Sequence, residues 1–200
     1  ISSSRGEIFV SGVGASNLTG GANIGVQIMR GGKVVSDGTS SITVIGTGGS
    51  SIGDRNYGVS VNDEGSAITS TAGDITVNGQ GGGTGASASN HGVFLASGGV
   101  ISSTSSGNVN VSGTGGNGSG DWNFGVFVEN EDSTITSTTG DINISGQGGG
   151  TEASANNHGV YVNQEGVIEA GSQGSVTIAG TGGTSTGNFN VGVLIADANS

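Results

Sequence analysis

The sequence predicts an all-β solenoid, a parallel β-helix of about six coils with three short strands in each coil. The first observation is a tetrad, Asn-x-Gly-aliphatic, whose spacing alternates between 33 and 34 and whose copies begin at Asn23, Asn56, Asn90, Asn123, Asn157 and Asn190. The second is a phrase, aliphatic-x-aliphatic-x-Gly, with the same period, ending at Gly12, Gly46, Gly79, Gly113, Gly146 and Gly180. Such a period is typical of one supersecondary unit that is copied along an axis and stacked on its neighbours.

The strands of one coil are visible between residues 56 and 79. Alternating aliphatic residues predict strands at 59–61, 67–69 and 75–77. Turn-forming residues separate these strands, and a Gly-rich link follows the third. The middle strand is the least regular, because its distance from the first strand differs by one residue between neighbouring coils. Since the nearest copy of each strand lies one repeat away, like strands should pair with like strands in parallel.

Four columns of aliphatic residues are expected to fill the interior. Two belong to the first strand, at Val26, Val59, Val93, Val126, Val160 and Val193, and at Ile28, Val61, Leu95, Val128, Val162 and Ile195. Two belong to the third strand, at Ile8, Ile42, Ile75, Val109, Ile142 and Val176, and at Val10, Val44, Val77, Val111, Ile144 and Ile178. One coil alone buries too little apolar surface to offset the ordering of its chain, so stability should grow with coil number.

A slower period, of about 67 residues, relates alternate coils and indicates a repeated unit of two coils. Residues 56–83 read NYGVSVNDEGSAITSTAGDITVNGQGGG, and residues 123–150 read NFGVFVENEDSTITSTTGDINISGQGGG. The genetic unit is therefore a pair of coils. We expect residues 1–200 to form one β-helix domain. Because the sequence opens and closes within a repeat, we also expect it to be a segment of a longer chain or fibre.

The charge balance argues against two classes of partner. The net charge is −11, and the only cations are Arg5, Arg30, Lys33 and Arg55. This charge would repel a phosphate backbone, so no nucleic acid partner is expected. No apolar run approaches the length of a membrane span, so membrane insertion is not expected. The absence of Cys excludes disulfides and thiolate metal sites.

The six tetrad Asn residues should form a column of their own. Stacked amides can donate to one neighbouring coil and accept from the other, and Asn also tolerates left-handed turn geometry. We therefore predict a structural Asn ladder at Asn23, Asn56, Asn90, Asn123, Asn157 and Asn190.

A second column lies between the two inward residues of the first strand. By alternation it points outward, and in four successive coils it holds large apolar residues, Phe94, Phe127, Tyr161 and Leu194. We call these four residues the apolar stripe. A continuous exposed patch is unusual for a monomer, so the stripe is a candidate for lateral contact with another shaft or a partner. The alternative is cover by the Gly-rich link of the same molecule.

Acidic residues occupy the turn after the first strand, at Asp63, Glu64, Glu129, Glu131, Asp132 and Glu165. Stacked carboxylates could bind Ca²⁺ weakly, but the short Gly- and Asp-rich repeat of calcium β-rolls is absent, so solvated corners are the favoured interpretation. His91 and His158 occupy the same position of alternate coils, roughly 10 Å apart along the axis, which is too far for one metal ion. We expect both to be structural, and no metal or cofactor is predicted.

No catalytic residues are predicted. Carboxylates such as Asp74 and Asp141 stand at equivalent positions of the repeat, and no coil carries an irregular cluster of acid, base and cation. A polysaccharide-degrading site, which needs a paired acid and base in a cleft, therefore remains only an alternative. Thr69, Thr71, Thr136 and Thr138 suggest an ice-binding array, but Ser interrupts that array in the intervening coils.

Three phrases resemble the repeats of large bacterial exoproteins of the filamentous-haemagglutinin and β-strand-repeat type. They are NYGVSV, AITSTAGDITVNGQGGG and NHGVYVNQEGVIEA. The resemblance extends over the whole chain and implies a right-handed parallel β-helix, located on the bacterial cell surface or in an extracellular fibre. It also implies a shaft without catalytic residues, with secretion and adhesive modules in other segments.

The expected function is a non-enzymatic structural shaft of an extracellular bacterial fibre or surface adhesin. The shaft should associate with itself, end to end, laterally or both, and a surface glycan or matrix polymer is a further candidate partner. The alternative is a polysaccharide-binding or polysaccharide-degrading β-helix domain.

Overall fold

The computed structural model describes residues 1–16 and 19–197. Within these residues it contains eighteen strands and no helix, and the strands form three parallel sheets of six. Each coil contributes one strand to each sheet. The predicted all-β solenoid of about six coils, with three strands per coil, is confirmed.

The first sheet, here the tetrad sheet, consists of the strands that follow the Asn tetrads. The second is the middle sheet, and the third is the glycine sheet, whose strands contain the second repeated Gly. The tetrad sheet comprises β3 (Val26–Ile28), β6 (Val59–Asn62), β9 (Val93–Ala96), β12 (Val126–Glu129), β15 (Val160–Asn163) and β18 (Val193–Ile195). The middle sheet comprises β1 (Ser2–Ser3), β4 (Lys33–Ser36), β7 (Ala67–Ser70), β10 (Val100–Ser103), β13 (Thr134–Ser137) and β16 (Val167–Ala170). The glycine sheet comprises β2 (Ile8–Val13), β5 (Ile42–Thr47), β8 (Ile75–Gln80), β11 (Val109–Thr114), β14 (Ile142–Gln147) and β17 (Val176–Thr181).

The register of all three sheets pairs equivalent residues of neighbouring coils. Val126, for example, pairs with Val93 on one side and Val160 on the other. The four predicted aliphatic columns are therefore continuous ladders. Most of their members are β-branched, which suits a narrow interior built from stacked pleats.

The irregular spacing of the middle strand is absorbed at the corners. Val100 follows Leu95 by five residues whereas Ala67 follows Val61 by six, yet Val100 and Ala67 are paired in the middle sheet. The next corner compensates in the opposite direction, because β11 begins six residues after the end of β10 and β8 begins five after the end of β7. The double repeat is thus an alternation of corner lengths with a constant strand register.

The aliphatic columns together form one continuous hydrophobic core. In the coil that begins at Asn56, five inward side chains have no exposed surface, namely Val59, Val61, Ile68, Ile75 and Val77. In the last coil the same columns are open, since Val193 is 37% exposed and Ile195 is 57% exposed. Neighbouring coils therefore supply the burial that one coil lacks.

The Gly of the tetrad and the Gly of the glycine-sheet strand lie against each other where these two sheets meet. A methyl group on Gly113 would overlap the carbonyl oxygen of Gly125, and one on Gly125 would overlap the backbone of Gln147. The same contact recurs in each coil, in the pairs Gly12 and Gly25, Gly46 and Gly58, Gly79 and Gly92, Gly113 and Gly125, Gly146 and Gly159, and Gly180 and Gly192. Only Gly allows the glycine sheet and the tetrad sheet to approach this closely.

Candidate functional site

The Asn ladder runs along one edge of the solenoid. The Asn123 amide donates to Asn157 Oδ1 at 3.1 Å, and Asn123 Oδ1 accepts from the Asn90 amide at 2.9 Å and from the Asn90 backbone N–H at 3.1 Å. Four of the six residues, Asn56, Asn90, Asn123 and Asn157, have no exposed surface. Each buried amide is thus used in both directions, as a buried polar ladder requires.

Serine side chains support this ladder, and sequence reasoning missed them. Ser87 accepts from the Asn90 amide at 3.1 Å, and Ser154 accepts from the Asn157 amide at 2.9 Å. In the coil that begins at Asn56, Ser51 donates to the Asn56 side-chain oxygen. The sequence did contain a sign of this role, because Ser87 and Ser154 both stand three residues before their ladder Asn.

Asn123→Ala is expected to lower the free energy of unfolding by about 3 kcal/mol. The substitution leaves the buried Asn90 backbone N–H without its acceptor. It also removes one hydrogen bond to the Gly120 carbonyl and one to the Asn157 side-chain oxygen, both of which keep a bond from Ser154. Urea unfolding of the two proteins, followed by circular dichroism, measures the difference. The matched control is Asn143→Ala, which removes an exposed Asn–Asn bond at 3.1 Å to Asn110 and should change stability by less than about 0.5 kcal/mol. Equal losses from both variants would contradict the ladder's role.

Aromatic rings form two adjoining columns beside the ladder. In the first, Tyr57, His91, Phe124 and His158 stack with ring centroids 5.1, 4.8 and 5.1 Å apart and nearly parallel planes. The second column consists of the three rings of the apolar stripe, with centroids 5.5 Å apart between Phe94 and Phe127 and 5.1 Å apart between Phe127 and Tyr161. The expected structural role of the two histidines follows from this stack.

The apolar stripe is less exposed than alternation predicted. Phe127 is only 8% exposed, and Phe94, Tyr161 and Leu194 are half-buried. The expectation of a continuous exposed stripe therefore fails at Phe127, while the other three residues remain partly exposed. Phe127 is covered by neighbouring rings, since it packs edge-on against Phe124 at 4.9 Å and face to face against Tyr161. Its cover comes from the aromatic columns themselves, and lateral contact through the stripe stays a prediction.

Both histidines are held neutral. Burial, with a smaller contribution from Arg55, lowers the pKa of His91 to about 3. Burial also lowers the pKa of His158. In each ring Nδ1 accepts a backbone N–H from the next coil, from Phe124 at 3.3 Å and from Val191 at 3.2 Å. A ring that accepts at Nδ1 and stacks on aromatic neighbours is suited to the neutral form.

The free energy of unfolding is expected to fall as the pH is lowered below the ordinary histidine pKa of 6.5. In the unfolded chain the imidazoles take up protons there, whereas buried His91 remains neutral down to a pKa of about 3. The stability that neutral His91 contributes is fully present above pH 6.5 and is lost as the pH falls toward 3. At about pH 5, His91 alone should lower the free energy of unfolding by roughly 2 kcal/mol. Urea unfolding at several pH values measures this slope.

The control is the double variant His91→Phe with His158→Phe. It keeps an aromatic ring at both positions of the stack, as Phe124 provides in the coil between them. Its stability at neutral pH should drop slightly, because two backbone N–H groups lose their acceptor. Its slope between about pH 7 and 5 should be much flatter than that of the parent protein. An unchanged slope would show that other groups carry the acid sensitivity.

The acidic corners are spread along the solenoid. Asp63 accepts the Arg30 backbone N–H at 3.1 Å, so part of its capacity is used between coils. Burial raises the pKa of Glu129. Within residues 1–16 and 19–197, no three His, Asp or Glu side chains are grouped so that they could hold a metal ion. Weak Ca²⁺ binding at these corners remains an untested expectation.

Four other carboxylates bridge neighbouring coils. Asp54 accepts the Ala88 N–H at 2.8 Å, and Asp121 accepts the Ala155 N–H at 2.7 Å. At a different corner, Asp74 accepts the Asn108 N–H and Asp141 accepts the Ser175 N–H, both at 2.8 Å. The two hydrogen bonds from Ser175 lower the pKa of the Asp141 carboxyl. The acids that were considered as catalytic candidates thus act as acceptors for the backbone of the next coil.

One more corner carries an unusual backbone conformation. The residue before every ladder Asn has a positive φ, between 55° and 65°, and none of these residues is Gly; they are Ala22, Arg55, Ser89, Trp122, Asn156 and Phe189. We call these six residues the corner row. Trp122 is 51% exposed and Phe189 is 60% exposed. Sequence reasoning did not single out this row, although it occupies one fixed position of the repeat.

The outer face of the glycine sheet carries a shallow groove of about 280 Å³. Its accessible surface is almost entirely apolar, although most of its lining residues carry amide or hydroxyl side chains, among them Asn78, Asn110, Asn143 and Thr177. Asn143 donates to Asn110 at 3.1 Å, so the groove wall is itself a short exposed ladder. The groove holds no paired acid and base.

No protein-family model matches this sequence, and comparisons with curated proteins and with solved structures also found no match. In the part of the chain that the structure describes, no helix has the length and apolar character needed to cross a membrane.

Proposed function

We propose that this chain is a non-enzymatic structural shaft of an extracellular bacterial fibre or surface adhesin. The observation that carries the proposal is the repetition of one coil-to-coil interface, with the Asn ladder unbroken from Asn23 to Asn190. The strand register is constant from coil to coil, and carboxylates at two corners accept backbone N–H groups of the next coil. Such a molecule gains length and stiffness with each repeat.

The proposed assembly has an end-to-end component. In the last described coil, residues of the interior columns are exposed, including Val176 at 42% and Ile195 at 57%. Within the described residues β17 and β18 pair on one side only, and a further coil with the same register, from this chain or from another copy, could stack on that side. If the further coil belongs to a second copy, the head-to-tail contact does not close on itself and generates a filament.

Sedimentation and negative-stain electron microscopy test this proposal. The 200-residue chain should form rods whose length grows with protein concentration. Ile195→Lys places a charge on the open edge and should shorten the rods, whereas Asn143→Lys, on an exposed face in the middle of the shaft, should not. A monomer at high concentration in both low and high salt would overturn self-assembly by this segment.

Lateral bundling requires a separate variant. Phe94→Ser with Tyr161→Ser changes two half-buried residues of the apolar stripe to Ser, the residue that Ser60 already provides at the same place. If the stripe joins shafts, bundles disappear while single rods remain. Added salt should favour bundles of the parent protein, because it screens repulsion between shafts of net charge −11. Bundles that persist in the variant would remove the stripe from the interface.

The second candidate function is polysaccharide binding. It is favoured by one specific observation, the exposure of Trp122 and Phe189 on the corner row.

A further inference from the structure

The corner row places two large aromatic side chains in solvent at a backbone conformation that opposes them. A positive φ is costly for a bulky residue, and Asn or Gly would be accommodated more easily. Trp122, with φ 63°, and Phe189, with φ 60°, are also more than half exposed, so little burial offsets that cost. An exposed, strained aromatic residue is more readily explained by binding than by stability.

The row is rigid along the axis. The backbone N–H of each of its first five residues donates to a carbonyl of the next coil, as from Arg55 to Ala88 at 3.1 Å and from Trp122 to Ala155 at 3.2 Å. Phe189 packs edge-on against His158, with centroids 5.3 Å apart. The backbone of the row and the ring of Phe189 are therefore held in position before any ligand arrives, which lowers the entropic cost of binding.

Planar and small side chains alternate along the row. Arg55, Trp122 and Phe189 stand on alternate coils, and Ala22, Ser89 and Asn156 stand on the coils between them. Two coils of a parallel solenoid span about 10 Å. In an extended β-1,4-linked glycan, neighbouring sugars present opposite faces, so the same face returns after two sugars, over nearly the same length. The C–H face of a sugar packs on an aromatic ring, while amides and hydroxyls bond its rim.

The net charge of the molecule and the layout of the row favour a neutral ligand. With a net charge of −11, the molecule repels acidic polymers. The two rings stand on alternate coils with Asn156 between them, so they offer two separate flat platforms and not one contiguous apolar patch. A neutral polysaccharide is not repelled by the net charge, and successive sugars along it can contact the two rings separately.

We propose that the corner row is a binding track for an extended, neutral β-1,4-linked polysaccharide, with sugar faces on Trp122 and Phe189 and with Asn156 bonding the sugar between them. The proposal deepens the second candidate function and does not depend on fibre assembly.

Trp122 is the single Trp of the chain, so its fluorescence reports directly on this track. Titration with cellohexaose and, separately, with N-acetylchitohexaose should change the emission saturably, and the disaccharides should bind at least tenfold more weakly. The two hexamers distinguish a glucose polymer from an N-acetylglucosamine polymer. A response to neither hexamer at millimolar concentration would overturn the proposal.

Variants separate binding from folding. Phe189→Asn keeps the fluorophore, relieves an unfavourable φ, and should weaken hexamer binding at least tenfold without lowering the melting temperature. Trp122→Asn, assayed by co-sedimentation with microcrystalline cellulose and chitin, should lose binding to the same extent. Phe9→Ser, which removes a ring that is 66% exposed on the glycine sheet, is the control and should bind normally. If Phe9→Ser weakens binding as much as Phe189→Asn, the retention is non-specific and the track is refuted.

If instead Phe189→Asn leaves hexamer binding intact but shortens the rods seen by electron microscopy, the row is a contact between shafts, and the glycan proposal fails while the shaft proposal stands. Loss of hexamer binding with normal rods supports the track alone. Rod formation and oligosaccharide binding are thus measured independently.

Discussion

Val126→Asp is expected to unfold its own coil and to weaken both neighbouring coils, with a loss of more than about 4 kcal/mol in the free energy of unfolding. Val126 has no exposed surface and pairs with Val93 and Val160 in the centre of the tetrad sheet. A carboxylate at this position would meet only aliphatic neighbours, so it must either remain charged without a partner or take up a proton against its ordinary pKa.

Thermal unfolding and limited proteolysis check this result. Proteolysis should cut the variant within the three affected coils before it cuts elsewhere, because local opening is confined to neighbours in a repeat array. Ser145→Asp is the matched control, since it places the same carboxylate on an exposed position of β14. The control should melt close to the parent protein. A parent-like melt of Val126→Asp would refute the inward orientation of this column.

Gly113→Ala is expected to cost about 3 kcal/mol or more, although it adds only one methyl group. The added group would overlap the carbonyl oxygen of Gly125 and crowd a methyl group of Val126. Since the obstructing atom belongs to the backbone immediately before β12, relief requires the glycine sheet and the tetrad sheet to move apart. That movement would disturb strand pairing in both sheets.

Gly6→Ala is the control for chain entropy, because an added methyl group there would meet only Ser3 Oγ at an ordinary 3.5 Å. Urea unfolding should place the control at or slightly above the parent protein. If Gly113→Ala and Gly6→Ala unfold alike, the two sheets do not approach as closely at this corner as the structure describes.

The period of the sequence was sufficient to predict the solenoid, the columns and the hydrogen bonds of the Asn ladder. In a stacked array, residues one repeat apart become neighbours, so spacing along the chain translates directly into contact. The alternation within strands then assigned Val59 and Val61 inward, where they are fully buried. Even the variable spacing of the middle strand was visible, although its compensation at the next corner was not.

Contacts that cross from one strand of a coil to another were decided by the tertiary structure. Gly113 and Gly125 are separated by a Gly-rich link, and no local rule states that this link returns the chain close enough to exclude a methyl group. The cover on Phe127 had the same origin, because the rings of Phe124 and Phe127 meet only after the chain bends at Gly125. The positive φ of Trp122 is likewise imposed by the corner and opposed by the residue's own preference. The sequence alone determined the contacts between equivalent residues of neighbouring coils. The path of the backbone around each coil was decided only by the tertiary structure, because it depends on packing between residues that are not one repeat apart.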